Sequence, residues 1–366
     1  MVIYKLLLFR RPHLDRLEAN RKYDCFCGSG IAADFVAGYI LEKHNLCFEY
    51  SAPFKVAIIS DRQVSGYYYN IFENQFILRN IKPRLIVCDA QEGGKSLKTV
   101  SEIVADLTDT GLGCNDWIIA LGGGGVIDVA EFAASIYSGR SSLLLVPTTM
   151  GAMACGAIED RACLNSGKYK DTSEVEVFPD AVFVDPQFLQ SVPVKYRSNG
   201  YAPVIRLAMF GNIHLLDGIN DSANLREFLN EVYAARKYVE IKNPKLLTLG
   251  DEIAAAIEGY FRFMNYSDGE ALALSLYSCM PEAGRMALET VYNRLGLPTK
   301  LDGVGRNMIL RSVSEGLTRK GIGPYEIVDY EKAGDGGKWV IRSMDRDSAM
   351  ELFARRMDVI VPADKN

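Results

Sequence analysis

The sequence predicts an α/β fold: a doubly wound parallel sheet in the N-terminal half, followed by a mostly α-helical C-terminal half. Three observations point there. From about Lys55 to Asp185, short apolar runs alternate with segments of helical periodicity, the pattern of βαβ units in a parallel sheet. Within that region Asp116–Thr149 reads as strand, glycine turn, helix and strand. After Asp185 the short runs give way to longer stretches with apolar residues on one helical stripe.

In chain order, Tyr4–Phe9 and Tyr23–Cys27 are candidate strands, Gly28-Ser29-Gly30 is a turn, and a helix runs through Tyr39–Lys43. Lys55–Ser60 (KVAIIS) is a strand ending at Asp61, and Arg84–Cys88 (RLIVC) is the next. Leu97, Val100, Ile103, Val104 and Leu107 recur at helical spacing until Gly111 and Gly113 stop the helix. Trp117–Leu121 is short enough for a buried strand. Gly122–Gly125 follow, and then Val126, Val129, Phe132 and Ala133 share a stripe. Leu143–Val146, stopped by Pro147, completes a βαβ unit whose crossover should be right-handed. Ala181–Val184 (AVFV) closes this half.

Beyond it, Leu225, Phe228, Leu229, Val232 and Tyr233 mark one amphipathic helix, and Ile253, Ala256, Ile257, Tyr260 and Phe261 another. Met286, Leu288, Val291 and Leu295 carry a third, ended by Gly296 and Pro298. A short hairpin is expected near Tyr325–Ile341. The domains are therefore placed at 1–190 and 191–366, with a ligand cleft between them.

At 366 residues the chain is long enough for two domains. Its 48% hydrophobic and 24% charged residues are ordinary for a soluble globular protein. A net charge of -5 argues against a nucleic-acid partner, which needs a basic surface. No apolar run is long enough to span a membrane, and the first residues lack the pattern of a signal peptide, so a cytoplasmic protein is expected. The eight cysteines are scattered without a C-x-x-C pair, and Cys25-x-Cys27 is too tight for a usual zinc knuckle. Buried reduced thiols are expected. Only three histidines occur, His13, His44 and His214.

The chemistry starts at Gly122–Gly125. Glycines at a strand-to-helix turn let backbone come close to a ligand, and the helix start offers N–H groups and a positive dipole end to an anion. The anion expected in such a sheet is the pyrophosphate of a dinucleotide. The spacing is not G-x-G-x-x-G, and a purely structural turn is the alternative. Asp61, just after a strand, fits a carboxylate that accepts hydrogen bonds from a ribose; a helix cap is the equal alternative.

These features together resemble the 3-dehydroquinate synthase family, the sugar phosphate cyclases, from about Tyr23 to Pro298. YDCFCGSGI is similar to the family's opening strand and glycine turn. ISDRQV matches "SD-x-x-V" and puts Asp61 at the adenosine ribose. EGGKSL keeps Glu92, Lys95, Ser96 and Leu97 of "GE-x-x-KSL", whose Glu and Lys lie near the nicotinamide ribose. GGGGVIDVAEF resembles "GGGVIGDMAGF", with Gly122, Gly123, Gly124, Asp128 and Phe132 in register. VPTT is identical and contributes Thr148 and Thr149 to the cofactor set, and Asn165 and Gly167-Lys168 echo "N…GKN". The resemblance implies an N-terminal nucleotide-binding domain, a helical C-terminal domain, NAD as cofactor, a small anionic metabolite as ligand and a homodimer. In the family, NAD⁺ transiently oxidises an alcohol, phosphate is eliminated, the ketone is reduced back and an aldol step closes a carbocycle. A divalent metal held by one Glu and two His polarises the oxygens.

The metal positions differ here. "GLAEVIKYG" is GYAPVIRLAM, so Pro203 stands for the ligand Glu and Arg206 for the Lys. "GHTFGHAIE" is GDEIAAAIE, so Asp251 replaces a histidine ligand and Ala255 a second histidine; "LHGEA" has Asp268 for the last ligand. The usual zinc site is therefore absent. Asp251, Glu252 and Asp268 could together hold a harder ion through oxygens, or form a solvated acidic rim. His214 reads as a surface or core histidine. Pro203 can sit in a helix's first turn, with Ser198-Asn199-Gly200 as cap and turn before it. The family's Asp and "GGK" after VPTT become Cys155 and Glu159-Asp160-Arg161, and Arg140 stands one place past the arginine of its "RG". Cys155 reads as a nucleophile or as a buried structural thiol. Lys95, Arg140, Arg161, Lys168, Arg206 and Lys320 are candidates for anion binding, and Arg161, Lys168 and Arg206 for the catalytic set, with the two arginines facing a developing oxyanion. Two readings follow: an NAD-dependent cyclase-type enzyme without the usual zinc, or a catalytically inactive relative serving as a binding or partner subunit. An iron-type alcohol dehydrogenase, which shares the fold, would also need the missing histidines.

Overall fold

The structure, a computed structural model, describes residues 15–16, 23–47, 53–210, 212–219, 225–333 and 336–361. The expected strand Tyr4–Phe9 lies outside them. The chain divides into two units: Met1–Leu164, Asp171–Val192 and Ala223–Asn230 form one, and Asn165–Lys170, Pro193–Ser222 and Glu231–Asn366 the other. Among the described residues no helix is long and apolar enough to cross a membrane.

The first unit holds seven strands of one sheet: β1 (Asp15–Arg16), β2 (Asp24–Cys27), β3 (Val56–Ser60), β4 (Arg84–Val87), β5 (Trp117–Gly122), β6 (Ser142–Pro147) and β9 (Ala181–Val184). A separate hairpin pairs β7 (Arg161–Ser166) with β8 (Tyr169–Glu176). The sheet order is β1-β2-β9-β6-β5-β3-β4. Neighbours run parallel except β1, which is antiparallel to β2. Every residue of β3, β5 and β9 is buried, as strands covered on both faces require, whereas edge strand β4 buries only Ile86 fully. Chain order explains the expected doubly wound character. From β3 the chain steps outward to β4, then returns across β3 to β5 and continues to β6 and β9. The direction reverses between β3 and β5, and the carboxyl end of such a switch point is where open α/β sheets take ligands.

The helices of this unit are α1 (Ala32–Cys47), α2 (Arg62–Ile77), α3 (Leu97–Thr110), α4 (Gly124–Ile136) and α5 (Met150–Ala154). Ser96 caps α3 and Gly111, left-handed at φ 64, ends it. Val100, Ile103 and Leu107 are buried as expected, but Leu97, at the first position of the helix, is exposed. The hairpin β7–β8 had no counterpart in the sequence reading. The alternating charges of YKDTSEVE are its exposed ribbon.

The second unit is helical: α6 (Val194–Asn199), α7 (Ala202–Phe210), α8 (Leu215–Gly218), α9 (Leu225–Lys242, from Glu231 onward), α10 (Asp251–Tyr260), α11 (Asp268–Cys279), α12 (Glu282–Leu295), α13 (Arg306–Arg319) and α14 (Arg346–Ile360). The hairpin β10 (Tyr325–Ala333) and β11 (Gly336–Met344) completes it, in the expected place. Helix α11 is its centre. All residues from Ala271 to Cys279 are buried, and a capping box between Ser267 and Glu270 starts the helix. Gly269 lets α11 meet α6, since a Cβ there would lie 2.0 Å from the Asn199 carbonyl oxygen. Pro203 does sit in the first turn of α7. Ser198 and Asn199 end α6 instead of capping α7, and the Asn199 amide donates to Ser267 Oγ at 2.7 Å. In α12, Met286 is exposed while Tyr292 joins Leu288, Val291 and Leu295 in the core, so the buried stripe is shifted from the expected one.

Candidate functional site

The residues expected to hold a cofactor gather at the carboxyl edge of the sheet. Asp61 follows β3 and caps α2: its Oδ1 accepts from the N–H groups of Gln63 and Val64, each at 2.8 Å. Among the described residues its Oδ2 accepts no hydrogen bond, so the cap and ribose readings are compatible. Across the switch point, β5 ends at Gly122 and α4 starts at Gly124 with Gly123 as a cap that has no side chain to offer. The first intrahelical bond runs from Ile127 N–H to the Gly123 carbonyl at 3.0 Å, which leaves the preceding N–H groups outside the helix ladder.

The four glycines have different reasons. A Cβ on Gly122 would lie 2.5 Å from the Val126 side chain, and one on Gly125 2.0 Å from the Ala90 carbonyl oxygen. These two are demanded by packing. Gly123 faces the Thr149 methyl at 3.1 Å, and nothing lies within 4 Å of a Cβ on Gly124. Gly124 thus borders open space at the helix start. Thr148 is buried and ties β6 to β5 through its N–H, 2.8 Å from the Gly122 carbonyl. Thr149 caps α5.

Beside this turn stands a charged cluster. Lys95, just before the α3 cap, is buried with its Nζ 2.9 Å from Asp128 Oδ2, 3.2 Å from Asp171 Oδ1 and 3.7 Å from Glu92 Oε1. Glu92, Lys95 and Asp128 were expected as a set. Asp171 was not, because its place depends on the hairpin returning to the sheet; it sits at φ 47, a left-handed conformation that aspartate tolerates. Asp128 Oδ1 accepts from the Cys163 N–H at 3.0 Å. Burial pushes the Asp128 carboxyl up to about 6, against the pull of Lys95.

In the second unit, the three positions aligned with the metal ligands do not form a metal site. Pro203 has no donor. Asp251 Oδ1 accepts from Arg206 Nη1 at 2.5 Å. Asp268 is bonded to Lys170, whose Nζ also lies 2.8 Å from Glu258 Oε1. Glu252 pairs with Lys320 at 3.0 Å. Among the described residues no group of three or more His, Cys, Asp or Glu is placed to hold a metal ion. The donor set has lost its nitrogen ligands, and its oxygens are matched with internal cations, so the usual zinc does not fit. The expected oxygen-ligand set of Asp251, Glu252 and Asp268 is corrected likewise: each carboxylate has its own cation.

The catalytic set is divided between the two units, Arg161 in the first and Lys168 and Arg206 in the second. Arg161, itself exposed, opens the otherwise buried β7 in the first unit, 3.4 Å from Glu159 and 3.1 Å from Glu174. Lys168, in the second unit, is 2.5 Å from Glu315 on α13, while the Arg319 guanidinium stacks on the Tyr169 ring at 3.6 Å. That contact anchors a hairpin tip. Arg140 precedes β6 at the amino end of the sheet, opposite the glycine turn, and is corrected as a site residue. His214 is exposed, 3.4 Å from Asp217, and Cys155 is buried at the end of α5. Sequence reasoning missed Lys170. Its only signal was a cation two residues past Gly167-Lys168, and its partners lie 88 and 98 residues away.

Comparison with known proteins agrees with this architecture. Residues 85–199 match the 3-dehydroquinate synthase N-terminal family model. The 3-dehydroquinate synthase of Clostridium kluyveri is 25% identical over 302 residues, 76% of this chain and 84% of that protein. The one from Methylacidiphilum infernorum is 27% identical over 298 residues, 75% and 82% of the respective chains. Among solved structures, 2-epi-5-epi-valiolone synthase from Streptomyces hygroscopicus, with NAD⁺ and Zn²⁺ bound, superposes with a TM-score of 0.75 at 17% identity, covering 92% of this chain and 97% of its own. A 2-deoxy-scyllo-inosose synthase complexed with carbaglucose-6-phosphate, NAD⁺ and Co²⁺ gives 0.74 at 17% identity, covering 93% and 99%. With the parallel sheet, the glycine turn and these matches in hand, the chain is similar to the sugar phosphate cyclases, the family of 3-dehydroquinate synthase, and shares their fold.

Proposed function

We propose that this protein is a divergent, NAD-binding cyclase-family enzyme that acts on a small anionic polyol or related metabolite without a Glu/His/His zinc site. The observation that carries the reading is the carboxyl edge at the β3/β5 switch point, with open space at Gly124 and a carboxylate oxygen of Asp61 left for a ribose. In this reading Asp61 accepts from the adenosine ribose, the start of α4 faces the pyrophosphate, and Glu92 and Lys95 lie toward the nicotinamide ribose, with Thr148 and Thr149 lining the edge. Bound NAD supplies a reversible hydride acceptor. Asp128 Oδ2, 2.9 Å from Lys95 Nζ, belongs to a carboxyl pushed up to about 6, so it can exchange a proton near neutral pH. An anionic group on the metabolite would reach Arg206 or Lys168 only in exchange for Asp251 or Glu315. We expect a homodimer, which sedimentation velocity would check.

A second reading, a catalytically inactive relative serving as a binding or partner subunit, is favoured by one observation: Arg161, Lys168 and Arg206 each already pair with a carboxylate.

Calorimetric titration with NAD⁺ tests the first reading. One-to-one binding in the micromolar range is expected, and Asp61→Ala should weaken it about tenfold, the loss of one charge-assisted hydrogen bond. No heat and no thermal stabilisation at millimolar NAD⁺, where mass action reveals even weak binding, would sink the proposal. If NAD⁺ binds, transient reduction of bound NAD⁺ by sugar phosphates separates the active reading from the inactive one.

A further inference from the structure

We propose that Lys170 and Arg206 are resident cations that take the place of a divalent metal in the helical unit. The inference rests on the family reading only for which positions correspond to metal ligands. At two of those positions stand Asp251 and Asp268, and each is matched with a protein cation. Arg206, in the middle of α7, reaches Asp251 Oδ1 at 2.5 Å and the Leu249 carbonyl at 3.5 Å. Lys170, its side chain only 13% exposed, reaches Glu258, which is fully buried on α10, and Asp268, which opens α11. The two pairs are electrically connected, since the charges of both Arg206 and Lys170 act on Asp251.

The physical reason is charge balance. A buried carboxylate is stable only with a counter-charge and satisfied hydrogen bonds. In a metal site the ion supplies two positive charges and fixes the ligand geometry. Here two single charges on side chains supply the same total, and each is carried by the fold itself. A divalent ion and these side chains would compete for the same carboxylate oxygens. Metal entry requires breaking both ion pairs, so the helical unit keeps its arrangement without metal. Lys170 is a positioning residue in this scheme: it joins the hairpin tip to α10 and α11, and by holding Asp268 it occupies the last ligand position.

The 366-residue chain is dialysed against EDTA and titrated with Mn²⁺, an ion that suits oxygen donors and avoids the eight cysteines. Wild type is expected to take up no Mn²⁺ by calorimetry and to keep its melting temperature with EDTA or Mn²⁺. Lys170→Met combined with Arg206→Met should melt lower, and Mn²⁺ should restore part of the loss by binding the released carboxylates. Should the double variant fail to fold, Lys170→Met alone carries the same comparison, with Glu258→Gln/Asp268→Asn as the charge-neutral rescue. Uptake of one Mn²⁺ per wild-type chain, abolished by Asp251→Asn/Asp268→Asn, overturns the proposal. So does a cation-deleted variant that Mn²⁺ does not stabilise. An NAD⁺ titration of the same wild-type sample keeps the two readings apart: absent NAD⁺ heat counts against the cofactor, not against the resident cations.

Discussion

Replacing Glu131 with leucine is expected to stabilise the N-terminal unit, and by more the higher the pH. Glu131 lies on α4 with no exposed surface, and among the described residues neither carboxylate oxygen has a hydrogen-bond partner. Burial, reinforced by the neighbouring charges of Asp128, Glu159 and Asp160, holds its carboxyl well above the usual range. The folded chain therefore keeps this proton where the unfolded chain has released it. Stability then falls as pH rises through the interval between the two titrations, by about 1.4 kcal/mol for each pH unit. Leucine, of similar volume, removes that slope and the unpaired polar group together. Urea unfolding followed by Trp117 fluorescence, with Trp339→Phe to silence the C-terminal unit, should show a larger gain at pH 8 than at pH 5. Equal gains at both pH values would mean that Glu131 titrates alike in both states, contrary to its burial.

The second large effect separates two adjacent glycines. Gly125→Ala should cost the fold about 2 kcal/mol or more, the range for overpacking, because the new methyl would lie 2.0 Å from the Ala90 carbonyl oxygen and backbone must move. Gly124→Ala meets nothing within 4 Å and sits at the first position of α4, so it should leave stability unchanged or slightly raised. Its methyl would project into the space proposed for the pyrophosphate. NAD⁺ affinity should fall at least tenfold, about 1.4 kcal/mol. Parallel melting curves and NAD⁺ titrations of the two variants check both halves. A Gly124→Ala protein with undiminished NAD⁺ binding would show that the open space is not where the cofactor lies.

Much of the fold was legible because it depends on local periodicity. Apolar runs such as Val56–Ile59 and Trp117–Leu121, bounded by turn residues, fit strands covered on both faces, and Gly111 and Gly296 announce helix ends by the left-handed turn they take. The hairpin β7–β8 was missed, since its alternation lies among charged residues and leaves no apolar stripe to read. The outward faces of Leu97 and Met286 were missed too: spacing tells which residues share a face, not how far the neighbouring element reaches along it.

Of the candidate site, the glycine turn, Asp61 and the group of Glu92, Lys95 and Asp128 could be read from motifs, because the residues sit at strand ends that the sheet brings to one edge. That Pro203, Asp251 and Asp268 stand where the resemblance places a Glu and two His was legible as well. The cations that meet those two aspartates were not. By itself the sequence determined the class of fold, the strand-to-helix turn and the loss of nitrogen ligands, all properties of residues within a few positions of each other. Only the tertiary structure decided which charges meet: Lys95 with Asp171, Lys170 with Glu258 and Asp268, Lys168 with Glu315 across 147 positions, while among the described residues Glu131 has no hydrogen-bond partner. A charge's partner is set by distance through space, and its titration by burial, and neither quantity is defined until the elements have packed.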